Sequence, residues 1–418
     1  MKNKFYQLQL FLLCLTAFVF PLYIKATSIT LLVLFILPFA FRSYRGAFVQ
    51  HLKSPGTYLF LMPMLVAFAG LINADQPASA FSNLEVYSSL FFFPFIFRTL
   101  NENPLKNKQQ YIHSFFIFGI LAAFFLCLGM AFINYFESFR KDYFFYSRLS
   151  SSIMSPNHLS NYVLWAIMLI LTDLAGLSNN LVLYSAKVYK AVVLLLLMCF
   201  LFLLASKAAF IIFCLMMLSF MIFLIVKKII PLWQSVILCI VLLMLGLYLY
   251  QTTNIKGRVM FAYKVIENPS PKQSSSQEST ALRVSAFNAS KDIIRDHFWF
   301  GVGTGDVQKT IVAYYQSHSK SGAYIHQTNP HNQYLFSWIM NGVAGIIAIL
   351  VMFGYLLVIS ARRKNIEPLF WVIYMILLFA TDDILTIQIG VVFFSFYTSL
   401  LLWSKPEINI HENNPNTA

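Results

Sequence analysis

Apolar residues fall along this chain in long runs separated by short polar breaks, and one polar stretch, 251–332, is far longer than the others. A spanning helix needs roughly 20 mostly apolar residues. On that measure the runs 8–24, 27–41, 57–73, 84–98, 112–134, 157–176, 188–205, 207–226, 230–250, 333–359, 367–381 and 384–403 predict about twelve spans. Pro38, Pro63 and Pro94 interrupt several of them; inside a bundle, neighbouring helices can satisfy the backbone groups a proline frees. The expected architecture is an all-α polytopic membrane protein. Residues 1–250 carry the first nine helices, 251–332 form a large outward loop, 333–403 carry the last three helices, and 404–418 are a cytoplasmic tail.

Composition agrees with the class. Of 418 residues, 59% are hydrophobic and 11% charged, and the mean hydropathy is +0.68, outside the range of soluble domains. Basic residues in short loops set orientation. Lys2, Arg42, Arg98, Lys187, Lys227, Arg362 and their neighbours share one side of the twelve-span scheme, whereas the opposite short loops hold only Lys25, Arg140, Lys141, Arg148 and Lys207. Both termini are therefore expected in the cytoplasm, with 251–332 outside. The formal charge of +14 is largely this asymmetry, and the outward remainder suits an anionic headgroup or pyrophosphate. Nucleic acid is not an expected partner, because no basic, aromatic-studded soluble domain is present.

Cys14, Cys127, Cys199, Cys214 and Cys239 each sit alone in an apolar run, without metal-ligand or disulfide spacing, and read as small hydrophobes. Lys2 and Lys4 before an apolar run resemble a signal peptide. No small-residue cleavage site follows, so the run is read as the first helix.

The polar stretch has internal order. Residues 268–280 are rich in Ser, Gln and Pro and too poor in apolar residues to fold alone. Beyond them Leu282, Ala286, Ala289, Ile293 and Ile294 recur at helical spacing, with Arg283, Lys291 and Arg295 between and Ser279 or Thr280 as cap. A glycine turn, Gly301, Gly303 and Gly305, then leads to Asp306 as the cap of a second helix reaching about Tyr315. A smaller outward loop, 134–161, contains Arg148 and Ser155-Pro156-Asn157-His158. These pieces predict a small helical cap over a crevice at the outer face.

Candidate chemistry gathers there. In Asn329-Pro330-His331-Asn332, Asn329 suits the N-cap and Pro330 the first helical position. His331 would then lie in the first turn, where the helix dipole favours neutral imidazole, able to accept a proton from a hydroxyl. A capping or interfacial histidine is the plainer alternative. His326, then His158 and His318, are further candidates. Arg283, Arg148 and Lys207 are candidate anion ligands; a solvated helix face for Arg283 and a snorkelling lysine at Lys207 are the alternatives. Asp382 and Asp383, adjacent at a helix end, are read as orienting or capping groups in preference to a metal site. The glycine turn lacks the features of a P-loop or dinucleotide fingerprint. Together the residues suggest an enzyme acting at a membrane face on an anionic lipid-linked substrate.

Arg148 with Pro156-Asn157, Ser206-Lys207, Arg283 upstream of Gly301-Val302-Gly303, and His331-Asn332-Gln333-Tyr334-Leu335 with Gly342 and Gly345 follow one another in an order that resembles the O-antigen ligase/polymerase family. The stretch Thr381 to Tyr397 looks like that family's last helix. The resemblance implies a GT-C-like bundle that transfers a glycan from undecaprenyl diphosphate to an acceptor hydroxyl outside the cytoplasm. It implies inversion at the anomeric centre, no nucleotide sugar, no metal and no cofactor. By the same resemblance Arg283 holds the diphosphate with Arg148 and Lys207 assisting, and His331 is the base or positions the acceptor; Asn332, His326, Gly301 and Gly303 support them. The sequence departs from the family pattern at Lys207, where arginine is usual, and near Ser151 or Ser152, where glycine is common.

Three acceptors fit the resemblance: lipid A core, a second lipid-linked glycan, or a protein hydroxyl. The lack of a large soluble C-terminal domain weighs against the last. A transporter would place ionisable residues near the bilayer midplane, whereas the polar residues here gather at the outer ends.

Overall fold

A computed structural model describes residues 2–37, 49, 52–99, 108–178, 186–229, 279–318, 321–363 and 365–403. The expected span 230–250, the Ser/Gln/Pro-rich stretch as far as 278 and the tail 404–418 lie outside the described residues.

The described chain is all helical. The first half contains α1 (Lys2–Val19), α2 (Ile24–Ile36), α3 (Pro55–Ala69), α4 (Pro77–Tyr87), α5 (Ser89–Thr99), α6 (Gln109–Ser138), α7 (Tyr146–Ser150) and α8 (Pro156–Leu174). Then come α9 (Lys187–Leu204), α10 (Lys207–Val226), α11 (Ser279–Asp296), α12 (Val307–Ser317) and α13 (Ser321–His326). The last three are α14 (Gln333–Ala361), α15 (Glu367–Phe379) and α16 (Gln388–Trp403).

The expectation of about twelve spanning helices in a GT-C-like bundle is corrected here. Among the described residues six helices are long and apolar enough to cross a membrane: 55–73, 77–98, 109–138, 187–204, 207–226 and 333–361. That makes the chain a multi-pass membrane protein with further helices that are apolar for another reason. Segments 6–19, 26–36, 367–379 and 388–403 are apolar but shorter. The 13 residues of α15 reach only about 20 Å at about 1.5 Å per residue, against a hydrocarbon core of about 30 Å. Helices α15 and α16 are apolar because protein surrounds them, whereas α1 and α2 leave Phe11, Ile29, Leu32 and Ile36 exposed. Every residue of α16 from Gly390 to Trp403 is buried, and most of α8 is buried too.

Aromatic packing holds this interior together. Trp165 of α8 meets Trp371 of α15 edge-on at 4.7 Å between ring centroids, and Phe20 packs on Phe396 of α16 at 5.2 Å. Two of the polar tips are satisfied inside the bundle: the Trp371 indole donates to Thr398 at 2.9 Å and the Tyr374 hydroxyl to the Asn161 carbonyl at 2.7 Å, while the Trp165 indole nitrogen has no partner among the described residues. At the far end of α16, Gln109 and Arg363 donate to the carbonyls of Leu400 and Leu402, closing a helix C-terminus that would otherwise be buried with open acceptors.

The helices α11, α12 and α13 pack on one another, and α11 and α12 also pack on α14. As the periodicity predicts, Ala286, Ala289 and Ile293 are buried on α11. Asp306 stands at the cap position of α12, yet its side chain accepts no bond from that helix; it takes the Asp75 amide instead, at 2.7 Å. The glycine turn is the seam between this layer and the bundle. Helix α14 breaks its geometry at Asn341 and Gly342, which frees carbonyls one turn earlier. The turn fills the gap: Val302 donates to the Ile339 carbonyl at 2.8 Å and Gly303 to that of Met340 at 2.9 Å. Thr304 adds a bond to the Ala67 carbonyl of α3 at 2.8 Å.

Only glycine fits this seam. Gly303 has φ +101, and a Cβ there would stand 2.4 Å from the Asn73 carbonyl oxygen. Gly303→Ala is expected to destabilise the protein by about 1–3 kcal/mol, read as a lower unfolding temperature of the purified protein in detergent. An unchanged unfolding temperature would show that the seam does not hold the layer.

Candidate active site

Three chain segments meet at one end of the bundle. Helix α8 begins with Pro156 in its first turn after Ser155, a position where a missing N–H costs nothing, and this places Asn157 and His158 at its mouth. Helix α14 begins after Asn332. The connection between α15 and α16 carries Asp382 and Asp383, both buried.

The carboxylates join the two helix mouths. The Asp382 oxygens lie 3.5 Å from His331 Nδ1 and 3.6 Å from His158 Nδ1, close enough for electrostatic coupling and long for a hydrogen bond. Asp383 accepts the His331 amide at 3.1 Å and the Asn332 amide at 2.7 Å. Asn332 closes the corner, since its side chain accepts the Leu335 amide at 3.1 Å and donates to the Ala380 carbonyl at 3.1 Å. Gln333, fully buried, accepts the Leu385 amide at 2.7 Å. The adjacent acids therefore face the imidazoles and accept the amides of the α14 mouth.

The helix start differs from expectation. Asn332, not Asn329, is the N-cap of α14, in extended conformation. His331 stands outside the helix, in the left-handed region at φ +50. Asp383 decides this: two asparagines three residues apart can each cap, and a carboxylate arriving from the α15–α16 connection captures the amides of His331 and Asn332. Carboxylates, in place of a helix dipole, are thus the dominant charges around His331.

The two acids diverge electrostatically. Burial pushes Asp382 upward, but its polar contact with His331, the nearby charges of His158 and His331 and the Asp383 amide outweigh it, so its carboxyl lies below the usual range. Burial and then the Asp382 charge push Asp383 up to about 6, against the pull of His331 and of the Asn332 and His331 amides. A low and a raised carboxyl side by side, in contact with two histidines, mark candidate chemistry.

The remaining candidates separate. Lys207 is the first residue of α10 after the cap Ser206, and the Ser206 hydroxyl donates to the Asn157 side chain at 2.9 Å. That bond places Lys207 beside the α8 mouth, one residue from His158, with its charge at the helix end where the dipole disfavours a cation. Arg148 on α7 pairs with Asp142 at 2.6 Å and lies over the Tyr143 ring at 5.3 Å. Arg283 is half-buried in the first turns of α11 and makes no hydrogen bond or ion pair with any described residue. His326 is exposed at the end of α13. His318 stacks on Tyr314 at 3.9 Å. Gly301 and Gly303 belong to the seam, where a Cβ on Gly301 would stand 2.6 Å from the Gly342 nitrogen.

Sequence reasoning named His158, Asp382 and Asp383 singly and did not join them to His331. A signal was present: Pro156-Asn157-His158 and Pro330-His331-Asn332 are two proline-marked helix mouths with the same polar pair in opposite order.

Residues 191–350 match the family model described as O-antigen ligase. No curated protein matches the chain. The matched stretch contains Lys207, Arg283, Gly301, Gly303, His326, His331 and Asn332; Arg148, His158 and the acid pair lie outside it.

Removing Asp383 leaves two amides without their acceptor, a loss of about 1–3 kcal/mol for each unsatisfied donor. Asp383→Ala is therefore expected to speed hydrogen exchange at residues 331 and 332, whereas Asp382→Ala, which touches the imidazoles, leaves it slow. Equal exchange in both variants would contradict the division of roles.

Proposed function

With residues 191–350 assigned to the O-antigen ligase family, we propose that this protein is a membrane glycosyltransferase. It moves a glycan from undecaprenyl diphosphate to a hydroxyl of lipid A core. The observation that carries the reading is His331, oriented by Asp382 and Asp383 beside His158. With Nδ1 turned to Asp382, Nε2 is the nitrogen left for substrate. It accepts the acceptor's hydroxyl proton as that oxygen attacks the anomeric carbon. The bond from that carbon to the diphosphate oxygen breaks, and a single displacement of this kind inverts the anomeric centre. Negative charge grows on the departing diphosphate, where cations stabilise it. Arg283 and Lys207 take that role, and Arg148 assists after exchanging Asp142 for phosphate.

The expected outward placement rests on charge. Helices α10 and α14 start at the site end and run to Lys227 and to Arg362 and Arg363, so basic residues crowd the opposite end, which the positive-inside tendency assigns to the cytoplasm.

Purified protein, undecaprenyl-diphosphate glycan and lipid A core, with EDTA present, test the proposal. A single transfer to lipid A core supports it; a ladder of growing lipid-linked glycan identifies a second lipid-linked glycan as the acceptor, and no transfer to either contradicts the proposal. His331→Ala is expected to lower the rate about 10²-fold or more without loss of folding, and Arg283→Ala to raise the KM for the donor. Because Asp383 titrates near 6 and protonation removes the anion that both amides share, transfer should fall as pH drops through about 6. Asp383→Asn should lack that acid limb; an unaltered profile would remove Asp383 from the account.

A further inference from the structure

A cavity of about 410 Å³ opens between α2, the α4–α5 corner and the start of α16, within the size range of small-molecule sites. None of its lining residues takes part in the transfer chemistry. Its lining changes character along the helices. Ser28, Ser82, Glu85 and Gln388 stand at one end. The Gln388 amide crosses the opening to donate to the Ser28 hydroxyl at 2.7 Å. Further along α2 and α5, past Ser88 and Ser89, Leu32, Phe35 and Phe92 line it. The Phe35 and Phe92 rings meet at 4.5 Å between centroids. From Ser28 to Phe35 is seven residues, roughly 10 Å at about 1.5 Å per residue.

We infer that this groove binds an amphiphile whose headgroup is an uncharged, hydroxyl-rich sugar and whose tail is an alkyl chain. Hydroxyl and amide side chains with one carboxylate form hydrogen bonds to sugar hydroxyls, and among the described residues lining the groove none is a cation that an anionic headgroup could pair with. The Glu85 carboxylate makes no hydrogen bond or ion pair with any described residue and is exposed, so it is available to accept two such hydroxyls and repels phosphate. Beyond it the aliphatic and aromatic wall suits a short alkyl chain. The headgroup preference sets this groove apart from the cationic side of the bundle that faces a diphosphate. Two sources supply such a molecule: an uncharged glycolipid that serves as acceptor in place of the phosphorylated lipid A core, or a bystander lipid of the membrane.

The test uses full-length protein in nanodiscs and a diazirine-bearing octyl glucoside as probe. Photolabelling is expected on peptides spanning 28–35 and 82–92, displaced by octyl glucoside and not by octyl phosphate. Glu85→Lys is expected to reverse that preference. Leu32→Trp, at a position 59% exposed and so tolerant of size, is expected to fill the groove and cut labelling at least tenfold. Labelling elsewhere, or labelling indifferent to both variants, overturns the inference. Transfer kinetics then separate the sources, both of which keep the groove. Octyl glucoside that raises the acceptor KM in wild type, but not in Leu32→Trp, identifies the accepting glycolipid; unchanged transfer with intact labelling identifies a bystander. If the protein proves inactive in transfer, the labelling still stands or falls alone.

Discussion

The coupling of two adjacent buried carboxylates to two helix mouths is the constraint on which the functional end of this molecule depends. Asp382 and Asp383 are an expensive pair to bury, since each raises the cost of ionising the other. Their surroundings meet that cost unequally. Asp382 has both imidazoles, and Asp383 has two main-chain amides. Each acid is therefore satisfied by a different kind of partner. The arrangement fixes α8, α14 and the α15–α16 connection relative to one another.

The layer formed by α11, α12 and α13 is tied to the same framework by a second device. The break of α14 at Gly342 frees carbonyls that the turn after α11 takes up, so the helix carrying the Asn332 cap at its mouth also anchors the layer carrying Arg283. The layer meets α14 about two and a half turns from His331, at about 3.6 residues per turn. The seam gives the glycine turn a definite role: its residues meet backbone, and their lack of side chains is a matter of fit.

Much of this was legible in the chain, unevenly. Helical class, the α9–α10 corner at Ser206 and the buried stripe of α11 follow from hydropathy, capping residues and periodicity. The number of spans does not, because hydropathy measures exclusion from water and cannot distinguish lipid from protein as the excluding medium; α15 and α16 are apolar on protein's account. The N-cap of α14 was misplaced for a related reason. Asn329 and Asn332 have equal local claims, and the contact that settles the matter comes from Asp383, 51 residues away. His331 was singled out from its place beside Pro330 and Asn332. Its partners were visible only as isolated residues, since their juxtaposition is tertiary.

The central claim is that Asp382 acts through His331. A double-mutant cycle on the transfer rate measures that directly, with His331→Ala, Asp382→Ala and both together. The account predicts that each single change is severe and that the double variant is no slower than His331→Ala alone, because removing the imidazole already removes what the carboxylate orients. Losses that multiply would show the two residues acting independently and would contradict it.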